Sequence, residues 1–331
     1  MTNDSSGSGS GSGRVADFFV VLGAARELEL QPLRPDDPLN ANHPAQQSRP
    51  LSCVFQCELL SRYPPEHPFL SSSSSSSLNP SSSSSAHPGD ANSNSNSSSS
   101  SSSSSNSGPS FPDGLALFCF PDGLRVSRKS KPPSFFSFVQ TSDKGSRLVG
   151  SCLTVYEKLN KVQRESFLKL CHDSPETMMA HPDVDSMRLY VPRCLCVISQ
   201  WPFVESFRKF LCHVYRLSLT PSNIPIERFI CNFIDDVPVP PSGKVEVSYL
   251  LPGCGTGEDS SFVFRRPPIN EPNAWNSLPM KSLFECMSVT NILAIFSAVL
   301  TERTVVFISS QNHLMASAAE TIISLMYPLQ W

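Results

Sequence analysis

No apolar run in this 331-residue chain approaches the roughly eighteen residues that a membrane-crossing helix needs, and the amino terminus is rich in Gly and Ser where a secretory leader would be basic and then apolar. The expectation is a cytoplasmic chain with neither a transmembrane helix nor a signal peptide. A cationic excess is also missing, since 26 Lys and Arg stand against 29 Asp and Glu for a net charge of −3. Duplex binding needs a clear positive face, so nucleic acid is not expected as a main partner. Metal-site spacing is lacking too. Cys194 and Cys196 are two apart with no second Cys or His pair at zinc spacing, and core packing is the expected role. The eleven cysteines are an odd number and sit mostly inside apolar runs, as reduced buried thiols do. His43, His67, His87, His172, His181, His213 and His313 are scattered, with His213 expected at a helix surface or boundary. No catalytic, cofactor-binding or metal-binding residue is therefore assigned.

What the chain has in abundance is serine. From Ser71 to Ser110 it is almost entirely Ser and Asn, with Leu78 the one large apolar side chain and Asp90 the one formal charge. Such a stretch cannot bury enough apolar surface to offset the entropy of ordering, so a disordered loop is expected. Residues 1–13 read as a flexible tail of similar kind. Roughly 270 residues remain for folding, which suits two domains.

Val15–Leu22 reads as a first strand ended by Gly23, and a Pro-rich excursion from Pro32 to Pro50 follows. A second apolar stretch, Cys53–Leu60, is broken by Tyr63-Pro64-Pro65. Beyond the serine tract, Leu115–Phe120 reads as a third strand, turned by Pro121-Asp122-Gly123 into Leu124-Arg125-Val126. Phe135–Gln140 and Arg147–Tyr156 flank Asp143-Lys144-Gly145 as a hairpin. The tract is thus an insertion inside one sheet.

Tyr190–Ile198 is a further strand, leading through Trp201-Pro202 into a helix. Phe203, Phe207, Phe210, Leu211 and Val214 share one face of it, opposite Glu205, Arg208 and Lys209, and Pro202 suits its first turn. Ile226, Phe229, Ile230, Phe233 and Ile234 repeat the pattern, and Asp235-Asp236 reads as a solvated helix end before the prolines at 238, 240 and 241. A domain boundary is expected there.

Strands at Lys244–Leu251 and Ser261–Phe264 are expected to open the second domain, followed by a helix Val289–Leu300 capped by Ser288 with Ile292, Ile295, Phe296 and Val299 buried. Val305-Val306-Phe307-Ile308 reads as a buried strand, and the next helix places Leu314, Ala318, Ile322, Leu325 and Met326 near one face. The alternation is that of an open α/β layer, and an α/β layer ending on a crossover helix is expected to be unfinished at Trp331. Gly253-Cys254-Gly255-Thr256-Gly257 lacks the Lys and Ser/Thr of a phosphate loop and runs into Glu258-Asp259, so it reads as a hairpin loop. Arg125, Arg128, Lys129 and Lys131 form a basic cluster that reads first as a solvated hairpin end and second as a contact for anionic headgroups.

Taken together, several stretches resemble the DENN family. Tyr190-Val191-Pro192-Arg193-Cys194-Leu195-Cys196-Val197-Ile198-Ser199, then Pro202-Phe203 and Phe207-Arg208-Lys209-Phe210-Leu211, resemble the end of an upstream DENN module. Ile226-Glu227-Arg228-Phe229 with Val237-Pro238-Val239-Pro240-Pro241 resembles its linker, and Leu300-Thr301-Glu302-Arg303-Thr304-Val305-Val306-Phe307 with Tyr327-Pro328 resembles the central DENN module. The resemblance implies an upstream domain over 14–237, carrying the insertion 71–110, and a truncated central domain over 238–331.

The fold class so implied is α/β: an α+β, longin-like amino-terminal lobe with an antiparallel sheet, followed by an incomplete α/β lobe. The implied activity is guanine nucleotide exchange on Rab-family small GTPases, engaged in GDP-bound or nucleotide-free form, in membrane trafficking. Exchange needs no nucleophile or proton shuttle, only a surface that binds the nucleotide-free GTPase better than the nucleotide-bound one. The implied location is cytoplasmic, with peripheral association on vesicle or organelle membranes, and no cofactor is implied. The alternatives are a non-exchanging trafficking scaffold that binds a GTPase or other partner through the first lobe and, on the glycine loop alone, a small-molecule enzyme.

Overall fold

The computed structural model describes residues 13–25, 29–33, 53–65, 111–141, 146–173, 186–221, 224–243, 245–251, 261–266, 268 and 280–329. The serine tract, the glycine loop 253–257 and the hairpin turn 143–145 lie outside them.

Five strands form one antiparallel sheet: β1 Phe18–Gly23, β2 Glu58–Tyr63, β3 Ser134–Thr141, β4 Arg147–Lys158 and β5 Tyr190–Ser199, in the order β2-β1-β5-β4-β3. The expected β3–β4 hairpin is present. The tract leaves from β2 on one edge of the sheet and the chain returns to supply β3 on the other, so the insertion falls within one sheet, as read from the sequence. The central strands are apolar on both faces because each face is covered, and the two-residue period of a strand sorts their side chains. Phe19, Leu153, Val155 and Val197 enter one core, while Phe18, Val20, Leu22, Cys152, Cys194, Cys196 and Ile198 enter a second on the opposite face.

The second core is capped by α1, Leu115–Cys119, where the sequence reading expected a strand. Its one-turn spacing explains the correction. Leu115 and Cys119, four apart, are buried while Leu117 is 45% exposed, which a strand's alternation would not produce. Gly114 at φ 68° starts this helix and Gly123 at φ 72° turns the chain after it, with the Gly123 N–H donating to the Phe120 carbonyl at 2.8 Å. A β-carbon on Gly123 would stand 2.3 Å from Val54 Cγ1.

A helix absent from the sequence reading, α2 Lys161–His172, covers one end of the sheet. Asn160 accepts from the Gln163 N–H, and the Gln163 side chain returns the bond to the Asn160 N–H, forming a capping box. Phe167 and Cys171 pack with Phe55, Leu124 and Val191 in a third cluster.

The first core is closed by α3 Val204–Leu219 and α4 Ile226–Asp236; the expected Phe207, Phe210, Leu211, Val214, Phe229, Ile230, Phe233 and Ile234 are buried, with Val204 and His213 beside them, while Ile226 is half-buried. Phe203 stands at the N-cap of α3, so Pro202 precedes the cap and does not occupy the first turn. Phe207 and Phe210 are fully buried against Phe233, the Phe210 ring stacked on it with centroids 3.7 Å apart. The strands expected to open the second domain form the hairpin β6 Glu246–Leu250 and β7 Ser261–Arg265, and its Phe262 and Phe264 complete this same core. Residues after α4 are also tied back: the Val15 N–H donates to the Val237 carbonyl, the Val239 N–H to that of Gly13.

The remaining described chain is helical: α5 Met280–Cys286, also absent from the sequence reading, α6 Val289–Leu300 and α7 Asn312–Leu325. Ser288 caps α6 by accepting from Asn291 N–H. At the other end of α6, Glu302 adopts φ 54°, with the Glu302 N–H bonded to the Val299 carbonyl and the Arg303 N–H to that of Ala298, the pattern of a Schellman turn. The chain leaves that turn extended, but 305–308 is not the buried strand expected. No described strand lies beside it to pair with, and Val306 and Ile308 are 74% and 91% exposed. Helix α7 packs on α5 and on β3, and an Arg147–Glu320 ion pair of 2.5 Å ties it to the start of β4.

Candidate partner-binding cleft

Where α7 begins beside the sheet, a cleft of about 760 Å³ opens. One wall is the turn after α1 and the segment leading to β3, which contribute Arg125, Arg128 and Lys131. The other is Ser310, Gln311, Asn312 and His313 at the start of α7, and Tyr156 and Thr154 of β4 form part of the floor. Three of the four residues of the basic cluster thus line one concavity, while Lys129 is exposed beside it. Arg125 donates from Nε to the Asp122 carbonyl at 3.0 Å, which fixes its stem, and the Lys131 ammonium stands 5.4 Å from the centre of the Tyr156 ring. Three cations face one carboxylate, Asp122, among the residues of this cleft. The arrangement suits an anionic protein surface or phosphate group, because guanidinium forks bind carboxylates and phosphates with two parallel bonds.

Beside the cleft, α5 and α6 present a second kind of surface. Val289, Leu293 and Leu300 are 63%, 59% and 43% exposed on the side of α6 away from buried Ile292 and Val299, and Phe284 of α5 is 49% exposed. A smaller cavity of about 350 Å³ lies between Leu283, Ile295, Ala318 and the extended segment 305–309. No single described helix is long and apolar enough to cross a membrane; α5 and α6 together would meet that length and composition, but they are bent by 115°.

The other residues singled out by sequence are dispersed. His213 is 5% exposed with its ring edge-on to Phe262, so the surface position expected for it is corrected: its helix face is covered by the β6–β7 hairpin. His172 is exposed at the end of α2 and His313 at the cleft rim, while His43, His67, His87 and His181 lie outside the described residues. Asp235 is not the solvated helix end expected. Its carboxylate pairs with Arg14 at 2.8 Å and accepts the Tyr63 hydroxyl, joining α4 to β2 and to the segment before β1. That bond to a carboxylate holds the Tyr63 hydroxyl well above the ordinary phenol range. The cleft itself was beyond the sequence reading, because His313 and Arg125 are brought together only by the docking of α7 on β3.

The family model of the uDENN domain matches residues 57–155, and that of the DENN (AEX-3) domain matches residues 190–331. The chain belongs to the DENN family. A DENN domain-containing protein of Schizosaccharomyces pombe is 27% identical over 165 residues, a match that covers 46% of this chain and 16% of that protein's length. The DENN match begins at Tyr190, the first residue of the central strand β5, so the two matched segments meet inside one five-stranded sheet.

Proposed function

We propose that this DENN-family chain contributes to a guanine nucleotide exchange factor for Rab-type small GTPases, acting in the cytoplasm and peripherally on vesicle or organelle membranes. The observation that carries the reading is the presence of a uDENN and a DENN match in order along one chain. The antiparallel sheet flanked by helices is in keeping with the longin-like lobe that the family resemblance implies. Neither surface beside α7 requires proton transfer: a basic cleft and an adjoining apolar helix face can hold an acidic and apolar partner surface, and exchange requires only that the nucleotide-free partner be held more tightly.

The test is retention of a panel of Rab proteins on the immobilised 331-residue chain in nucleotide-free, GDP-loaded and GTP-loaded forms, with release of labelled GDP measured in parallel. Preferential retention of one nucleotide-free Rab, together with faster GDP release, is expected. Equal retention of all three forms without release would favour the scaffold reading, and retention of none would refute both.

A further inference from the structure

Four thiols from three elements meet inside the second core. Cys194 and Cys196 are two apart on β5 and point to the same face. Cys152 of β4 is the cross-strand partner of Cys196, and Cys119 in the last turn of α1 lies over them. All four are 1% exposed or less. The Cys119 and Cys152 sulfurs are 3.7 Å apart, and those of Cys119, Cys152 and Cys196 lie within 4.8 Å of one another. Cys194, diagonal to Cys152 across the β4–β5 pair, stands beside this trio.

A buried thiol normally behaves as a small hydrophobe and can sit against any apolar neighbour. Here Phe18, Phe120, Phe136 and Ile198 are available, yet three of the sulfurs lie within 4.8 Å of one another with Cys194 beside them. Four thiolates at tetrahedral positions about 2.3 Å from a zinc ion stand about 3.8 Å apart, close to the 3.7 Å between the Cys119 and Cys152 sulfurs, whereas a disulfide requires about 2.05 Å.

We propose that Cys119, Cys152, Cys194 and Cys196 form a closed, structural thiolate site for one zinc ion, pinning α1 to β4 and β5. Four protein ligands leave no open position for substrate, which separates such a site from a catalytic one. Each thiol releases its proton to solvent on binding, four protons per ion. Cys119 also reaches the floor of the cleft, giving the ion a path of entry. Because the turn after α1 carries Asp122 and Arg125, the ion would stiffen one wall of the cleft after the long excursion of the chain from β2.

The test starts with the 331-residue chain purified without chelator and measured by elemental mass spectrometry, where about one zinc per chain is expected. Exchange for cobalt should give the intense near-ultraviolet sulfur-to-metal band and the visible bands of a tetrahedral thiolate site, a readout that needs no variant. Cys119→Ser and Cys152→Ser should lower zinc content at least fivefold, while Cys286→Ser, at an exposed cysteine of α5, should not. The assignment is overturned by absence of zinc both as purified and after refolding with it, by undiminished zinc in Cys119→Ser, by stoichiometric iron or copper in its place, or by a Cys119–Cys152 disulfide in protein alkylated before lysis.

Discussion

The two helix-bearing regions of this molecule bury their apolar residues to different depths. Among the described residues, the largest fully enclosed side chains, from Phe55 and Phe167 to Phe262 and Phe264, all belong to the sheet lobe and lie before residue 266. The α5–α7 region has a smaller core of Leu283, Ile292, Val299, Ala318, Ile322 and Met326, and leaves Val289, Leu293, Val306 and Ile308 largely exposed. The difference follows from how each region is covered. In the first lobe α3, α4 and the β6–β7 hairpin enclose one face of the sheet, whereas α6 is covered by described chain on one side only. Depth of burial and availability for a partner are therefore divided between the regions.

The sharpest way to break this contrast is to remove an aromatic from the deep core. Phe207→Ala or Phe210→Ala should destabilise the sheet lobe by about 3–5 kcal/mol in urea titrations, since each removes a fully buried ring that packs on Phe233. An unmoved midpoint would mean that the face is not a core at all. In the shallower region, Ile322→Ala should cost about 2–3 kcal/mol and show first as faster hydrogen exchange in α7, with the sheet amides unaffected. Uniform loss of protection would show that the two regions unfold as one unit.

A smaller effect is expected where the first lobe is tied together by polar groups. Asp235→Asn weakens the pairing with Arg14 and Tyr63 and should cost about 1 kcal/mol. The Tyr63 hydroxyl is held above its unfolded value, so its contribution is fully present below about pH 10 and is lost as pH rises through the folded value. Tyr63→Phe should accordingly flatten the alkaline limb of the stability profile, and an unchanged limb would remove Asp235 from the account. The smallest change should come from Val306→Ser and Ile308→Ser, within about 0.5 kcal/mol of the parent because neither side chain is buried. Light scattering should then show less self-association; a large loss of stability would reveal packing on these residues.

The α3 and α4 faces were legible because five apolar residues in each repeat at helical spacing, and the β3–β4 hairpin because Asp143-Lys144-Gly145 separates two apolar runs. The Asn160–Gln163 capping box was also present in the sequence and would have located α2, although the long stretch up to Tyr190 was read without it. Leu115–Phe120 misled because a six-residue apolar run carries no periodicity that separates a strand from one buried helical turn. Val305–Ile308 has strand composition, yet composition cannot supply a neighbour for its backbone to bond.

The residues alone determined the family resemblance, the β3–β4 hairpin, the apolar faces of α3 and α4 and the place of the serine tract between two strands of one sheet, since these follow from local periodicity, turn chemistry and motif order. Tertiary structure decided what stands beside what. Cys119 and Cys152 join Cys194 and Cys196 only because α1 crosses the face on which β4 and β5 pair, and Arg125 meets His313 only because α7 docks on β3. Such neighbours are remote along the chain, and no local spacing encodes contacts that arise when separate elements bury their faces together.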